Sequence, residues 1–452
     1  MGERAQPASP AAIGTGSLGY PWYVVIVLTA VYMLSFVDRT ILGMLVGPIQ
    51  AELGISDTEF GYLTGFAFTI FYVLMGIPLG RLADSWSRRN LVIGGILVWS
   101  FFTSISSLTR SYATLFAARV GVGVGEASLS PSAYSMITDY FPNRLLGVAI
   151  SVYNMGIFLG ISAAFLLGGT VVDIVTRTPE TVVPLLGSMA SWRVTFLVVG
   201  LPGVVFALLM LTIVEPLRRD PGGARAAAGK LSFAEVWREV RLRRASLLGI
   251  SVGMIFQSSQ VYALLTWAPA AFERVHGWTP GQTGRPLALI LLTFGCAGMY
   301  VGGLWSDRWL RRGIPEAPLK VGAIAGFGTL AFFAPALLMP SPVWALAFLA
   351  PGLFCTALPM GITIAALQRI FPNQARGQVS AVFLFFLNLG GYPLGAIVPG
   401  YLNDNFFDDP ARIATAVSMT IGVAAVLMIV SFFLTSRPYR SHYGMMQASQ
   451  AR

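Results

Sequence analysis

The chain has 452 residues, 55% of them hydrophobic and only 11% charged, against about 25% charged in soluble domains, and that balance excludes a soluble globular protein. A formal net charge of +10 would point to nucleic acid in a soluble chain. Here an uneven distribution of Lys and Arg between loops accounts for it, so no nucleic-acid partner is expected.

Residues 1–20 are polar, rich in Pro, Ala and Gly, and carry Arg4 as their only basic side chain. They read as a disordered N-terminus without a signal peptide. Twelve apolar runs of membrane-spanning length follow, at about 21–47, 58–80, 90–109, 111–136, 145–172, 192–214, 246–272, 284–305, 319–339, 342–370, 376–402 and 411–436. With the N-terminus placed in the cytoplasm, the even-numbered connections and both tails hold 22 of the 30 Lys and Arg residues, and the odd-numbered connections hold six. That bias predicts a multi-pass protein of the plasma (inner) membrane with both termini cytoplasmic.

The longest connection, 215–245, separates two six-helix bundles, 21–214 and 246–436, and a cytoplasmic tail covers 437–452. Arg218 to Lys230 reads as a linker. Leu231 to Arg244 reads as a helix: Ser232 and Glu235 have capping-box spacing, Phe233, Val236, Trp237 and Val240 share one face, and Arg238, Arg241 and Arg244 lie on another. A basic amphipathic helix of this kind is expected at the cytoplasmic membrane surface.

The two bundles repeat each other. Gly80-Arg-Leu-Ala-Asp84-Ser-Trp-Ser-Arg88-Arg89 recurs 223 residues later as Gly303-Leu-Trp-Ser-Asp307-Arg-Trp-Leu-Arg311-Arg312, and Phe141-Pro142-Asn143 recurs 230 later as Phe371-Pro372-Asn373. Six apolar runs separate each element from its copy, an even number, so the repeat is parallel and a substrate site is expected between the halves near the midplane. Asp84, Arg88, Arg89 and their copies Asp307, Arg311 and Arg312 fall at cytoplasmic helix ends. There they can cap helices or pair with one another as latches of a cytoplasmic gate, part of the arginine content being topology signal alone.

Four ionisable groups lie deep inside apolar runs, away from their ends: Asp38, Arg39, Arg119 and Glu126. Seven residues separate Arg119 from Glu126, placing both on one helix face about 10 Å apart. Between them, Gly121, Gly123 and Gly125 read as a packing face for a neighbouring helix, since no strand precedes them and a glutamate stands at the sixth position of the dinucleotide fingerprint. Charges at this depth turn inward to partners or to a water-filled cavity. Asp38 and Arg39 point about 100° apart, so each is expected to find a partner on another helix. One reading is a static neutral network joining the first and fourth helices. The other assigns proton coupling to Glu126, with Asp38 second, because carboxyls exchange protons and arginines do not. Arg39 and Arg119 then bind an anionic headgroup, as guanidinium matches phosphate or carboxylate in a bidentate way.

The second half has no charge in the middle of its apolar runs. Its cavity candidates are Gln257, Ser258, Gln260, Tyr262 and Trp267, then Thr356, Thr363 and Asn388, although such groups also serve interhelical hydrogen bonding. Charge on one wall and apolar surface on the other suits an amphiphile with a small anionic head. The two cysteines, Cys296 and Cys355, sit in apolar runs, there is no Walker loop or His/Glu metal spacing, and His276 and His442 lie outside the runs. No enzyme activity, metal or cofactor is expected.

Over residues 20–437 the chain resembles the major facilitator superfamily. The Gly80/Asp84/Arg88/Arg89 cluster is similar to its signature between helices 2 and 3, with Ser87 in place of the second glycine, and Arg119 with Gly123 resembles its helix-4 signature. Gly156 and Gly160 are present without the glycine-proline pair typical of drug/proton antiporters. Asp38-Arg39, the run from Arg119 to Glu126-Ala-Ser128, and Trp192-Arg193-Val-Thr195 with Glu215-Pro216 together resemble the spinster family. That resemblance implies an all-α fold of twelve transmembrane helices, a monomer by the superfamily's habit, and export or proton-linked movement of lysophospholipids or sphingolipid-like anions. Asp-Arg in the first helix also occurs in organic-anion symporters, which keeps a small sugar-acid-like substrate open, as is a non-transporting receptor or scaffold.

Overall fold

The apolar runs fold as helices that pack side by side. The computed structural model describes residues 18–176, 180–183, 187–218, 233–372 and 374–450. In chain order the helices are α1 Gly19–Leu53, α2 Asp57–Ser85, α3 Arg88–Leu108, α4 Tyr112–Glu126, α5 Leu129–Tyr140, α6 Leu145–Asp173, α7 Trp192–Leu211, α8 Phe233–Leu242, α9 Arg244–His276, α10 Pro280–Arg311, α11 Ala317–Leu338, α12 Pro342–Arg369, α13 Gln378–Phe407 and α14 Pro410–Ala448. Among the described residues, eleven helices are continuous, long and apolar enough to cross a membrane. The twelfth crossing is α4 with α5, which the sequence presents as one run. Pro131 has no N–H for the Ala127 carbonyl, and the Ser128 hydroxyl donates to the Gly125 carbonyl at 2.9 Å, so the helix breaks at Ala127–Ser128.

The parallel repeat is visible in the packing: α1 lies along α6 as α9 lies along α13. The glycines of α4 let three backbones approach. A Cβ on Gly123 would lie 2.4 Å from the Phe68 carbonyl oxygen of α2, and one on Gly125 would lie 2.6 Å from the Trp99 nitrogen of α3.

Three features depart from the sequence reading. A short antiparallel hairpin, β1 Glu180–Val183 against β2 Gly187–Ala190 with Glu180 opposite Ala190, joins α6 to α7, and its β-branched Thr181-Val182-Val183 suits a strand. The amphipathic helix α8 buries Val236 in the second half but leaves Trp237 50% exposed, and the Ser232 of the expected capping box lies outside the described residues, as do the Arg219–Lys230 part of the linker, Asn373 and residues 1–17. Finally, the last helix does not stop near 436; it runs to Ala448.

The extension is held to the second half. The Tyr439 hydroxyl donates to the Ala366 carbonyl at 3.0 Å, Ser246 and His442 Nδ1 share a hydrogen bond at 2.7 Å, and Arg440 pairs with the buried Glu316. Burial alone would raise the Glu316 carboxyl, but the hydrogen bonds from Arg440 and Lys320 outweigh it and hold the pKa at about 2. A carboxyl depressed in the folded state stabilises above its unfolded pKa and loses that contribution as pH falls through the folded value. Replacing Glu316 with Gln is therefore expected to lower Tm at neutral pH, with the difference from wild type closing between about pH 5 and pH 2. Thermal scans of both proteins across that range check it.

The two halves meet at the end opposite the termini. A Cβ on Gly43, Gly61 or Gly65 would come within 2.9 Å of Leu265, 2.7 Å of Ala396 or 2.9 Å of Ala396 again, so α1 and α2 touch α9 and α13 almost backbone to backbone. Among the described residues, the hydrogen bonds that join the halves also lie from mid-span to this far end. Toward the termini the helices spread, and a Cβ on Gly76, Gly147 or Gly303 would meet nothing within 4 Å. The protein is thus closed at its far end.

Candidate functional site

The four intramembrane charges assemble into two ion pairs of different character. Arg39 of α1 donates from Nε to Glu126 Oε2 of α4 at 2.6 Å, with a second guanidinium nitrogen 2.5 Å away from the same oxygen. Arg119 of α4 donates to Asp38 Oδ1 of α1 at 3.2 Å. One turn of α1 points Asp38 and Arg39 to different sides, and α4 answers each with the opposite sign.

The Asp38–Arg119 pair is sealed. Both residues are no more than 3% exposed; Thr103 donates to Asp38 Oδ2, Arg119 reaches Ser106 Oγ at 3.3 Å, and its guanidinium lies over Phe196 at 5.1 Å. Both Asp38 oxygens are engaged, and the surrounding side chains come from one half. The expectation that Arg119 meets a substrate anion does not fit this placement, because its guanidinium is buried against Asp38, Ser106 and Phe196, all of the first half.

The Arg39–Glu126 pair is at the cavity. Arg39 sits in an aromatic cage, with ring centres of Phe36, Phe68 and Tyr72 at 4.8, 4.5 and 4.8 Å, contacts worth up to about 2 kcal/mol when desolvated. Its side chain keeps 10% exposure while Glu126 has none. The guanidinium forms part of the wall of a small space of about 20 Å³, lined by Phe36, Thr40, Gly43 and Thr64 from the first half and Tyr262, Leu265, Thr266 and Tyr392 from the second. Among the described residues only one Glu126 oxygen is bonded: Oε1 has no hydrogen-bond partner. A proton can therefore add to Oε1 without breaking any existing hydrogen bond, and doing so weakens the hold on Arg39.

Of the second-half candidates, Tyr262 alone joins Arg39 at this cavity, stacked on Tyr392 with centroids 4.2 Å apart. Gln257 is buried and donates to the Thr356 carbonyl at 2.9 Å, Trp267 is buried and donates to the Ala396 carbonyl at 2.8 Å, and Asn388 donates to the Leu384 carbonyl of its own helix at 2.8 Å. These three satisfy backbone groups and do not line the Arg39 cavity. Tyr392, Phe68, Tyr72 and Thr103 were not anticipated. The only sequence signal for them was aromatic residues four apart on α2, a spacing that ordinary helix packing produces as well.

The loop clusters do not bridge the halves in this state. Arg88 is buried and binds Asp139, Glu215 at 2.8 Å, Ser135 Oγ at 2.8 Å and the Pro216 carbonyl at 2.9 Å, while Arg89 reaches the Ile213 carbonyl at 3.2 Å. Burial alone would raise the Glu215 carboxyl, but bonds from the Arg89 backbone, Arg88 and Ser87 hold it below its ordinary range. In the second half Asp307 lies 3.7 Å from Arg369. Among the described residues Asp84, Arg311 and Arg312 have no ion-pair partner, in keeping with helices that have separated at this end.

At the closed end Asp57 is the hub. Arg274 donates to both its oxygens, at 2.7 and 2.8 Å, Gln50 to Oδ1 at 2.7 Å and Asn403 to Oδ2 at 2.8 Å. Four helices from both halves thus meet on one buried carboxylate.

Residues 28–392 match the sequence family described as the Major Facilitator Superfamily. An MFS-type efflux pump of Mycolicibacterium smegmatis is 30% identical over 421 residues, covering 93% of each chain. The D-galactonate transporter of Escherichia coli is 26% identical over 441 residues, covering 92% of this chain and 96% of its own. A bacterial homolog of the human lysosomal transporter Spinster, solved in an inward-facing and unoccupied conformation, superposes with a TM-score of 0.79 at 26% identity, over 94% of this chain and 99% of that one. Twelve membrane crossings in two repeated halves, an ion pair at the cavity between those halves and this breadth of similarity make the chain a transporter of the major facilitator superfamily.

Proposed function

We propose that the protein is a proton-coupled carrier for an anionic amphiphile, such as a lysophospholipid or sphingolipid-like anion, working by alternating access. The observation that carries this is the position of Arg39, bonded to Glu126 and at the same time part of the cavity wall. A substrate headgroup and Glu126 compete for one guanidinium, so substrate arrival favours proton uptake on Oε1 and substrate release favours its loss. Asp38 has both oxygens engaged and serves as the brace that holds Arg119 and the helix pair. The loop residues Asp84, Arg88, Arg89, Asp307, Arg311 and Arg312 act as latches of the termini-side gate in the opposite state.

The choice of an amphiphile rests on the lining. A polyhydroxylated acid needs several directed donors and acceptors. Phe36, Leu265 and the Tyr262–Tyr392 stack dominate the wall, and the Thr64 hydroxyl is already spent on its own helix at 3.0 Å. Several relatives are named as galactonate or glucarate transporters, which supports a sugar acid as the second reading.

The basic bias of the linker and termini supports a cytoplasmic position for that end, in an inner-membrane protein. The repeat supports 21–214 and 246–436 as the two moving bodies of a monomer. Reconstituted protein is expected to take up radiolabelled lysophospholipid saturably, without competition from D-galactonate. Uptake of D-galactonate that lysophospholipid does not inhibit would overturn the lipid assignment, and binding of either without net flux would make the protein a receptor.

A further inference from the structure

At the closed end, the first turns of α2 and α10 are built alike. Their N-caps, Ser56 and Thr279, are 223 residues apart, the offset that also relates Gly80 to Gly303. Each hydroxyl accepts the N–H three residues on, from Glu59 at 3.2 Å and Gln282 at 3.3 Å, and those side chains return to the cap N–H at 2.9 Å in both cases. A capping box leaves the N–H groups of the first two helical residues without partners in their own helix.

In both helices the missing partner comes from the other half. Asp404, near the end of α13, accepts from the Asp57 N–H at 3.2 Å, the Thr58 N–H at 2.6 Å and the Thr58 hydroxyl at 2.5 Å. Asp173, at the end of α6, accepts from the Gly281 N–H at 3.0 Å and the Thr279 hydroxyl at 3.1 Å. Pro280 stands at the first helical position and has no N–H, so the Thr279 hydroxyl supplies the second donor. Residue 281 has to be small for the carboxylate to come this close: a Cβ there would lie 2.0 Å from Asp173 Oδ2. The two aspartates are 231 residues apart, close to the offset of the Phe-Pro elements that precede α6 and α13.

We propose that these crossed caps, Asp404 on α2 and Asp173 on α10, are quasi-equivalent locks of the outer gate, each of which must release its helix N-terminus before the protein opens at this end. The inference rests on the alternating-access reading. The negative carboxylate meets the positive end of a helix dipole only while the halves are closed, and on opening water replaces each partner, so the lock is reversible. The Asp57–Arg274 pair has no counterpart, because Pro280 stands where Asp57 would repeat. The caps are therefore the symmetric part of the gate.

The test uses spin labels at Ala51→Cys and Phe406→Cys, exposed on opposite halves, with Cys296 and Cys355 replaced, in lipid nanodiscs. Asp404→Ala and Asp173→Ala are each expected to add a longer-distance population, at similar fractions and at least tenfold above wild type, with the double variant adding more. Asn at either site, keeping an acceptor oxygen without the charge, gives a smaller shift. Gly281→Ala displaces Asp173 without altering it and reproduces the Asp173→Ala result. A double variant with the wild-type distance distribution would overturn the proposal, as would a fall in Tm with no new distance. The readout needs no substrate, so a wrong substrate or absent proton coupling leaves it intact.

Discussion

Replacing Asp38 with Asn is expected to cost the protein about 3–5 kcal/mol of stability, the usual penalty for leaving one partner of a buried ion pair uncompensated. Arg119 is the residue left behind. It is 3% exposed, its Nε has no hydrogen-bond partner even now, and its remaining contacts are Ser106 Oγ and the face of Phe196. With no water to turn to, the guanidinium has to drag solvent into the first half or move. Detergent-solubilised Asp38→Asn should therefore melt well below wild type and yield little folded protein. The double variant Asp38→Asn/Arg119→Met removes both charges and should recover much of the loss, because a well-packed apolar replacement of a buried pair is often neutral. A single variant that melts with wild type would show that the pair does not brace the helices.

Glu126→Gln should behave in the opposite way, with folding kept and coupling lost. Arg39 retains the rings of Phe36, Phe68 and Tyr72, and a glutamine carbonyl oxygen can still accept its Nε–H where Glu126 Oε2 does now. What disappears is the titratable oxygen and the charge competing for Arg39. Lysophospholipid binding is expected to hold or tighten, while proton flux on adding lysophospholipid to proteoliposomes falls at least tenfold, an effect of about 1.4 kcal/mol or more in rate terms. Arg39→Lys tests the other partner: it keeps the charge but loses the planar fork, so binding should weaken more than stability. Normal proton-linked flux in Glu126→Gln would remove Glu126 from the coupling role and return attention to Asp38.

The assignments differ because the two carboxylates have different environments, which residue type alone does not reveal. By chemistry alone Glu126 comes first for proton exchange and Asp38 second, both being intramembrane carboxyls. Thr103 on α3 engages the second Asp38 oxygen, while among the described residues nothing donates a hydrogen bond to the second Glu126 oxygen. The asymmetry comes from which neighbouring helix happens to carry a hydroxyl at that depth.

The sequence by itself determined the class, the number of crossings, the repeat and the four charged residues. The reason is that a bilayer penalises every unpaired charge and every unsatisfied backbone group, so span length and charge placement are written directly into composition. It could not show that Arg119 is enclosed and Arg39 open, that Gln257 and Trp267 are tied to backbone carbonyls, or that Asp404 and Asp173 close the far end. Those depend on contacts between residues up to 347 positions apart, as between Asp57 and Asp404. Helix periodicity places a side chain on a face, but only the packing of the two halves decides what that face meets.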